Sequence, residues 1–304
     1  MPHALLSLPR ISTNVRFAAS HLLFPEQANA WAERMFLTPP RGKNAAASAL
    51  DLIDAKSSCL EHKGRHIAMW SWGARSAEAP AVLLAHGWGG NAAQMRGFAF
   101  PLLQAGYRVI AYDQPAHGVS GGKLTGLPDF AEVFGAVARY HGGIEAVVAH
   151  SLGGAGAALS LGWGRVSFKK IVLISPPSDL VGYSRRFARW YWMPEPVRKA
   201  MQNAIEERYG VRWEDLEVGS VAPRLGARAL VIHDRDDHMM PWTHGAKVAR
   251  AWPGAQLLLT DGLGHGRILR DERVMRSAAD FIAGRGEVVA EPAGPALPLP
   301  APLY

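Results

Sequence analysis

Val147-Val148-Ala149-His150-Ser151-Leu152-Gly153-Gly154 puts a serine between an apolar strand and a small-residue helix. The run from Ile144 to Ala149 is apolar and β-branched, as a buried strand is. After Leu152, the residues Gly153, Gly154, Ala155, Gly156 and Ala157 let a helix backbone lie close to a sheet. A serine on that corner stands at the end of a strand with its hydroxyl exposed, and the Leu152 N–H points into the space beside it. A hydroxyl alone is a poor nucleophile, so Ser151 becomes useful only with a base and an anion-stabilising pocket. A plain tight turn is the alternative reading of the same residues.

Outward from this corner, short apolar runs alternate with helical patterns. Strands are expected at His66–Trp72, Val82–Ala85, Tyr107–Tyr112, Ile144–Ala149, Lys170–Ile174, Ala229–His233 and Ala255–Leu259. Helices are expected at Phe24–Leu37, Ala92–Gln104, Pro128–Tyr140, Leu152–Gly162, Thr243–Ala251 and Asp271–Ile282. This alternation predicts an α/β fold, a mostly parallel sheet covered on both faces, with catalytic groups gathered at the carboxyl ends of its strands.

Between Ser175 and Pro223 the rhythm breaks into a helical, aromatic and basic segment, read as a helical lid insertion at about 178–222. Residues 1–65 read as an N-terminal helical extension and linker, 66–285 as the main domain, and 286–304 as a Pro/Ala-rich tail. The chain has 304 residues, 48% of them hydrophobic, enough for a full core. It has no apolar run of membrane-spanning length and no signal-like apolar stretch. The net charge of +7 is spread over scattered basic residues without a nucleic-acid motif, so no nucleic-acid partner is expected. A single cysteine, Cys59, fits a reducing compartment, and the cytoplasm is the expected location.

Three further segments carry chemistry. His86-Gly87-Trp88-Gly89-Gly90 follows a strand, and its glycines permit a sharp turn close to a ligand. The Trp88 N–H, with that of Leu152, could bind an oxyanion, while the Trp88 ring forms a pocket wall. In Val231-Ile232-His233-Asp234-Arg235-Asp236-Asp237 three aspartates compete to orient a base. Asp237 is preferred for its spacing to Pro241, Asp236 is second, and Asp234 reads as a turn residue. Gly262-Leu263-Gly264-His265-Gly266 puts a histidine on a glycine loop after the serine and the acid in chain order, which makes His265 the best base candidate. His238 and His244 lie near the acid loop without a zinc spacing, so no metal is expected.

Taken together, HGWGG, DQPAHGVSGG, AHSLGG, IHDRDDHMMP and GLGHG resemble the α/β-hydrolase fold, in its order and over about Ala68 to Ile282. Ala149 stands where the usual G-x-S-x-G has its first glycine, and Asp234 where the acid loop usually has one. The resemblance implies Ser151 as nucleophile, Asp237 as acid, His265 as base, and Trp88 and Leu152 as oxyanion donors. It gives Asp113-Gln114-Pro115-Ala116-His117-Gly118 a scaffold role. The expectation is a cofactor-free serine hydrolase acting on a small-molecule ester or thioester. Acyl transfer, C–C hydrolysis and perhydrolysis are the alternatives on the same fold, and a non-catalytic ligand-binding protein is a further one. Trp88, His150, Trp190 and Trp192 are the candidate substrate contacts. Arg185, Arg186 and Arg189 could attract an anionic substrate or an acidic carrier, or simply form a solvated face.

Overall fold

The computed structural model describes residues 24–40, 52, 54–73 and 79–285. The elements run α1 (Pro25–Leu37), β1 (Lys56–His62), β2 (Arg65–Trp72), β3 (Ala81–Ala85), a 3₁₀ helix (Ala92–Phe98), α2 (Ala99–Gln104) and β4 (Arg108–Tyr112). There follow α3 (Leu127–Tyr140), β5 (Ala146–His150), α4 (Leu152–Gly162), β6 (Lys170–Ile174), α5 (Leu180–Trp190), α6 (Glu195–Tyr209) and α7 (Val218–Val221). The chain continues with β7 (Arg228–Asp234), α8 (Thr243–Ala251), β8 (Gln256–Thr260), α9 (Gly264–Arg267) and α10 (Glu272–Ala283). The described residues fall into two compact units, 39–178 with 217–285 and 24–38 with 179–216.

The larger unit holds an eight-stranded sheet in the order β1-β2-β4-β3-β5-β6-β7-β8. Strands β4 to β8 and β3 run parallel, while β2 is antiparallel to β1 and β4. This is the expected mostly parallel architecture. The strands of its middle are buried along nearly their whole length: all of Ala81–Ala85 and Ala146–His150, and all of Arg228–Asp234 after the first residue. Burial on both sides explains why these sequences are continuous apolar runs. Val82, Leu84, Val148, Val172 and Ile232 pack on one face with Phe98, Leu102, Val274 and Ile282. The chain passes from β3 to β4 on one side and then returns to β5 on the other. The order therefore reverses between β3 and β5, where open α/β sheets form a crevice at the strands' carboxyl ends.

β1 lies inside the span read as an extension and linker. Its sequence, Lys-Ser-Ser-Cys-Leu-Glu-His, has no apolar face because it is a half-exposed edge strand paired only with β2. Val218 and Val221 of α7 are buried, and Gly162 of α4 sits against the Val221 side chain. Helix α7 thus belongs to the sheet unit, although the lid was read as running to 222. Residues 286–304 lie outside the described residues.

In the smaller unit, Phe36 of α1 meets Phe187 at 5.1 Å, Trp213 at 5.5 Å and Tyr183 at 6.0 Å between ring centroids. Arg208 of α6 pairs with Glu33 at 2.6 Å. Helix α1, read as part of a separate extension, thus packs with the lid residues. Arg198 is buried and satisfied by Glu195, Ser184 and Gln202. Trp190 and Trp192 are exposed, 58% and 63%. Among the described residues no helix is long and apolar enough to cross a membrane.

Candidate active site

Ser151 ends β5 and begins α4 with φ 51° and ψ −127°, a conformation that L-residues rarely occupy. Its neighbours hold it there. The Ser151 N–H donates to Ile174 O of the adjacent strand at 2.8 Å, and Ser151 O accepts from Gly154 N at 2.9 Å. Leu152 is the first helical residue, so its N–H has no acceptor one turn earlier.

The His86–Gly90 loop closes on this corner. A Cβ added to Gly87 would lie 2.8 Å from Ser151 Cβ and 3.1 Å from His150 O. One added to Gly153 would collide with His86 O and lie 2.9 Å from Ala85 O. Both contacts are with backbone or with the serine itself, so neither can yield cheaply. Gly153→Ala is therefore expected to cost about 1–3 kcal/mol through overpacking. It should also push the loop away from Ser151. Urea unfolding reads the first effect and turnover of a model ester the second.

The loop is braced by two buried histidines. His86 Nε2 accepts from Gln114 N at 2.9 Å, leaving Nδ1–H to donate to Gly87 O at 2.7 Å. His117 Nε2 accepts from Gly89 N at 2.9 Å, and its Nδ1–H donates to Pro115 O at 2.9 Å. Burial, reinforced by His117, holds the His86 imidazole well below its usual range, so it stays neutral and keeps this tautomer. The Trp88 ring stacks on Phe130 at 6.3 Å and meets His117 edge-on at 5.3 Å. The Trp88 N–H has no hydrogen-bond partner among the described residues. Asp113 anchors the supporting turn, accepting from Ala92 N at 2.7 Å and Val119 N at 2.8 Å. Burial pushes its carboxyl up to about 6 despite those donors.

At the end of β7 the acid loop folds back on itself. Asp237 Oδ1 accepts from Met239 N at 3.0 Å and Met240 N at 2.8 Å, while Oδ2 lies 2.7 Å from His265 Nδ1. His233 Nε2 donates to Met240 O at 2.8 Å and lies 3.5 Å from the same Oδ2. Burial works against ionisation of Asp237. Hydrogen bonds from His233 and His265, the charge available on His265 and the Met240 N–H outweigh it and hold the carboxyl well below the usual range. An ionised carboxylate only accepts, so His265 carries its proton on Nδ1 and turns a basic Nε2 away from Asp237.

The structure thus brings together Asp237 and His265, two residues far apart in the chain. It ties them to the serine corner through His150, whose Nε2–H donates to His265 O at 3.0 Å with the two rings 4.6 Å apart. Sequence reasoning read His150 as a substrate contact. It is instead 6% exposed and packed on the base loop, and burial with His265 pushes its imidazole down to about 3. The sequence reading did not see this use: a histidine next to a serine looks the same whether it faces substrate or a neighbouring loop. Trp190 and Trp192 belong to the smaller unit. Among the described residues, no cluster of His, Cys, Asp and Glu is arranged to hold a metal.

Residues 80–193 match the family described as alpha/beta hydrolase fold. Est1E from Butyrivibrio proteoclasticus, solved with ferulic acid bound, is 16% identical at a TM-score of 0.61, covering 75% of this chain and 98% of that one. The 2-hydroxy-6-oxo-6-phenylhexa-2,4-dienoate hydrolase of Rhodococcus sp. strain RHA1 is 18% identical at 0.56, covering 75% and 98%. A membrane phospholipase A described as a bacterial virulence factor is 18% identical at 0.59, covering 91% and 98%. A stretch of 84 residues is 44% identical to the dihydrolipoyllysine-residue acetyltransferase component of an acetoin cleaving system from Cupriavidus necator. That stretch is 26% of this chain and 22% of that protein. With its sheet order, the chain has the α/β-hydrolase fold.

Proposed function

We propose that this α/β-hydrolase-fold chain is a serine hydrolase that cleaves a carboxylic ester or thioester through an acyl-enzyme on Ser151. The observation that carries the reading is the 2.7 Å contact between His265 Nδ1 and Asp237 Oδ2, with His265 in the short helix α9 and its carbonyl fastened to the residue before Ser151. His265 Nε2 takes the hydroxyl proton as Ser151 Oγ attacks the acyl carbon. Asp237 fixes the tautomer and stabilises the imidazolium that forms. The N–H groups of Trp88 and Leu152 meet the charge on the carbonyl oxygen, where each donor is worth about 10²–10³ in rate. His265 then protonates the leaving alcohol or thiol, and a water activated by the same imidazole hydrolyses the acyl-serine. No cofactor enters these steps.

The test is turnover of p-nitrophenyl esters of increasing chain length, with product analysis in the presence of competing alcohol and thiol acceptors. Free acid as the main product at every acceptor concentration supports hydrolysis. Acyl transfer to the acceptor reassigns the chain to an acyltransferase, and absence of ester turnover contradicts the reading.

A further inference from the structure

The acid loop carries two more carboxylates than a single catalytic acid requires. Asp234 ends β7 and is fully buried. Its Oδ2 accepts from Thr260 Oγ1 at 2.7 Å and Leu263 N at 3.0 Å, and its Oδ1 from Gly264 N at 2.9 Å and Asp236 N at 3.0 Å. Asp236 Oδ2 accepts from Gly262 N at 2.9 Å. Three consecutive backbone N–H groups, at 262, 263 and 264, are thus aimed at two aspartates, and the next residue is His265.

The backbone is shaped for this. Gly262 has φ 76°, Leu263 is right-handed at φ −88° and ψ −38°, and Gly264 has φ 64°. Alternating left- and right-handed residues turn successive N–H groups toward one concavity, a nest for an anion. Only glycine takes the two left-handed positions without strain, which gives Gly262 and Gly264 their reason. The anion in this nest is built in. Burial opposes ionisation of Asp234, but Gly264 N, Thr260 and Leu263 N hold its carboxyl below the usual range. The sequence reading assigned Asp234 to the turn; it is the last residue of β7, paired with Thr260 of β8. Its side chain, however, reaches across to the loop that bears the base.

Resting on the serine-hydrolase reading, we infer that Asp234, assisted by Asp236, is a positioning residue that fixes the 262–264 backbone so that His265 keeps Nδ1 on Asp237 and Nε2 free for proton transfer. Three aspartates then have two tasks: Asp237 holds the ring of the base, and Asp234 and Asp236 hold its backbone. Misplacing a reacting group by about 1 Å costs on the order of 10²-fold in rate.

The experiment compares wild type with Asp234→Asn, Thr260→Val and Asp236→Ala in the full chain. Each is read by steady-state kinetics on a short p-nitrophenyl ester and by the low-field proton signal of the hydrogen-bonded His265 Nδ1–H, assigned by its loss in His265→Ala. Asp234→Asn trades two acceptor oxygens for one. It should lower kcat about 10–100-fold with KM within about twofold, and weaken or broaden the His265 signal. Thr260→Val removes only the hydroxyl and should keep kcat within about threefold and the signal sharp. Asp236→Ala, at an exposed position, should lower kcat about threefold in the same direction and broaden the signal, which keeps the inference testable if Asp234→Asn does not fold. A folded Asp234→Asn with wild-type kcat and an unchanged signal overturns it. So does Thr260→Val reproducing the Asp234→Asn loss, since Asp234 would then act through β8 alone, and so does Asp236→Ala with kcat and signal unchanged. The proton signal does not depend on turnover. A wild-type chain without esterase activity but with these signal changes would therefore sink the serine-hydrolase reading while leaving the loop assignment standing.

Discussion

Ser151→Ala is expected to lower ester turnover by a factor on the order of 10⁴–10⁶, the scale on which a serine–histidine unit fails when its nucleophile is removed. The expected residue of activity comes from the oxyanion donors and substrate binding, which the substitution spares. Removing one hydroxyl leaves the backbone bonds of residue 151 to Ile174 and Gly154 in place, so the fold loses little. The strained φ of 51° is tolerated no worse by alanine than by serine. The measurement is kcat/KM on a short p-nitrophenyl ester, with the unfolding midpoint as control. Loss of activity together with loss of the unfolding transition would assign Ser151 to structure.

Asp237→Asn is the second large effect. The amide oxygen can keep the N–H donors of Met239 and Met240, but its NH₂ then faces His265 Nδ1–H, donor against donor. The ring escapes by moving its proton to Nε2, where no base remains for Ser151. A loss of about 10⁴ in kcat follows from the wrong tautomer alone.

Stability follows the same group. The Asp237 pKa is depressed in the folded state, so its contribution is complete above the unfolded value of about 3.9 and is lost as pH falls toward the folded one. Asp237→Asn should therefore flatten the fall in stability below about pH 4. An unchanged fall in stability at acid pH in Asp237→Asn would contradict the ionised, hydrogen-bonded state of Asp237 beside His265.

The fold was legible because its strands are buried on both faces. Continuous apolar runs such as Ala146–His150 and Lys170–Ile174 stand out against amphipathic helices, and helix limits at Leu152–Gly162 and Thr243–Ala251 match the sequence reading. β1 was not legible: an edge strand with seven half-exposed or exposed residues, polar at most of them, leaves no period-2 apolar signal.

The candidate site was legible in part for a different reason. Chain order and glycine spacing pointed to Ser151, Asp237 and His265, whereas the residues that hold them are tied by tertiary contacts that leave no local pattern. His150 on the His265 carbonyl spans 115 positions, and Asp234 on Gly264 N spans 30. An acidic cluster beside a glycine loop later in the chain was the only trace of the second contact, and nothing marked the first.

The most direct test of the central claim is covalent. Full-length protein is treated with a fluorophosphonate, digested, and the adduct mapped by peptide mass spectrometry. The account predicts one adduct, on Ser151, absent in Ser151→Ala and strongly slowed in His265→Ala. An unlabelled Ser151 peptide in active, folded protein, or an adduct on another residue, would contradict it.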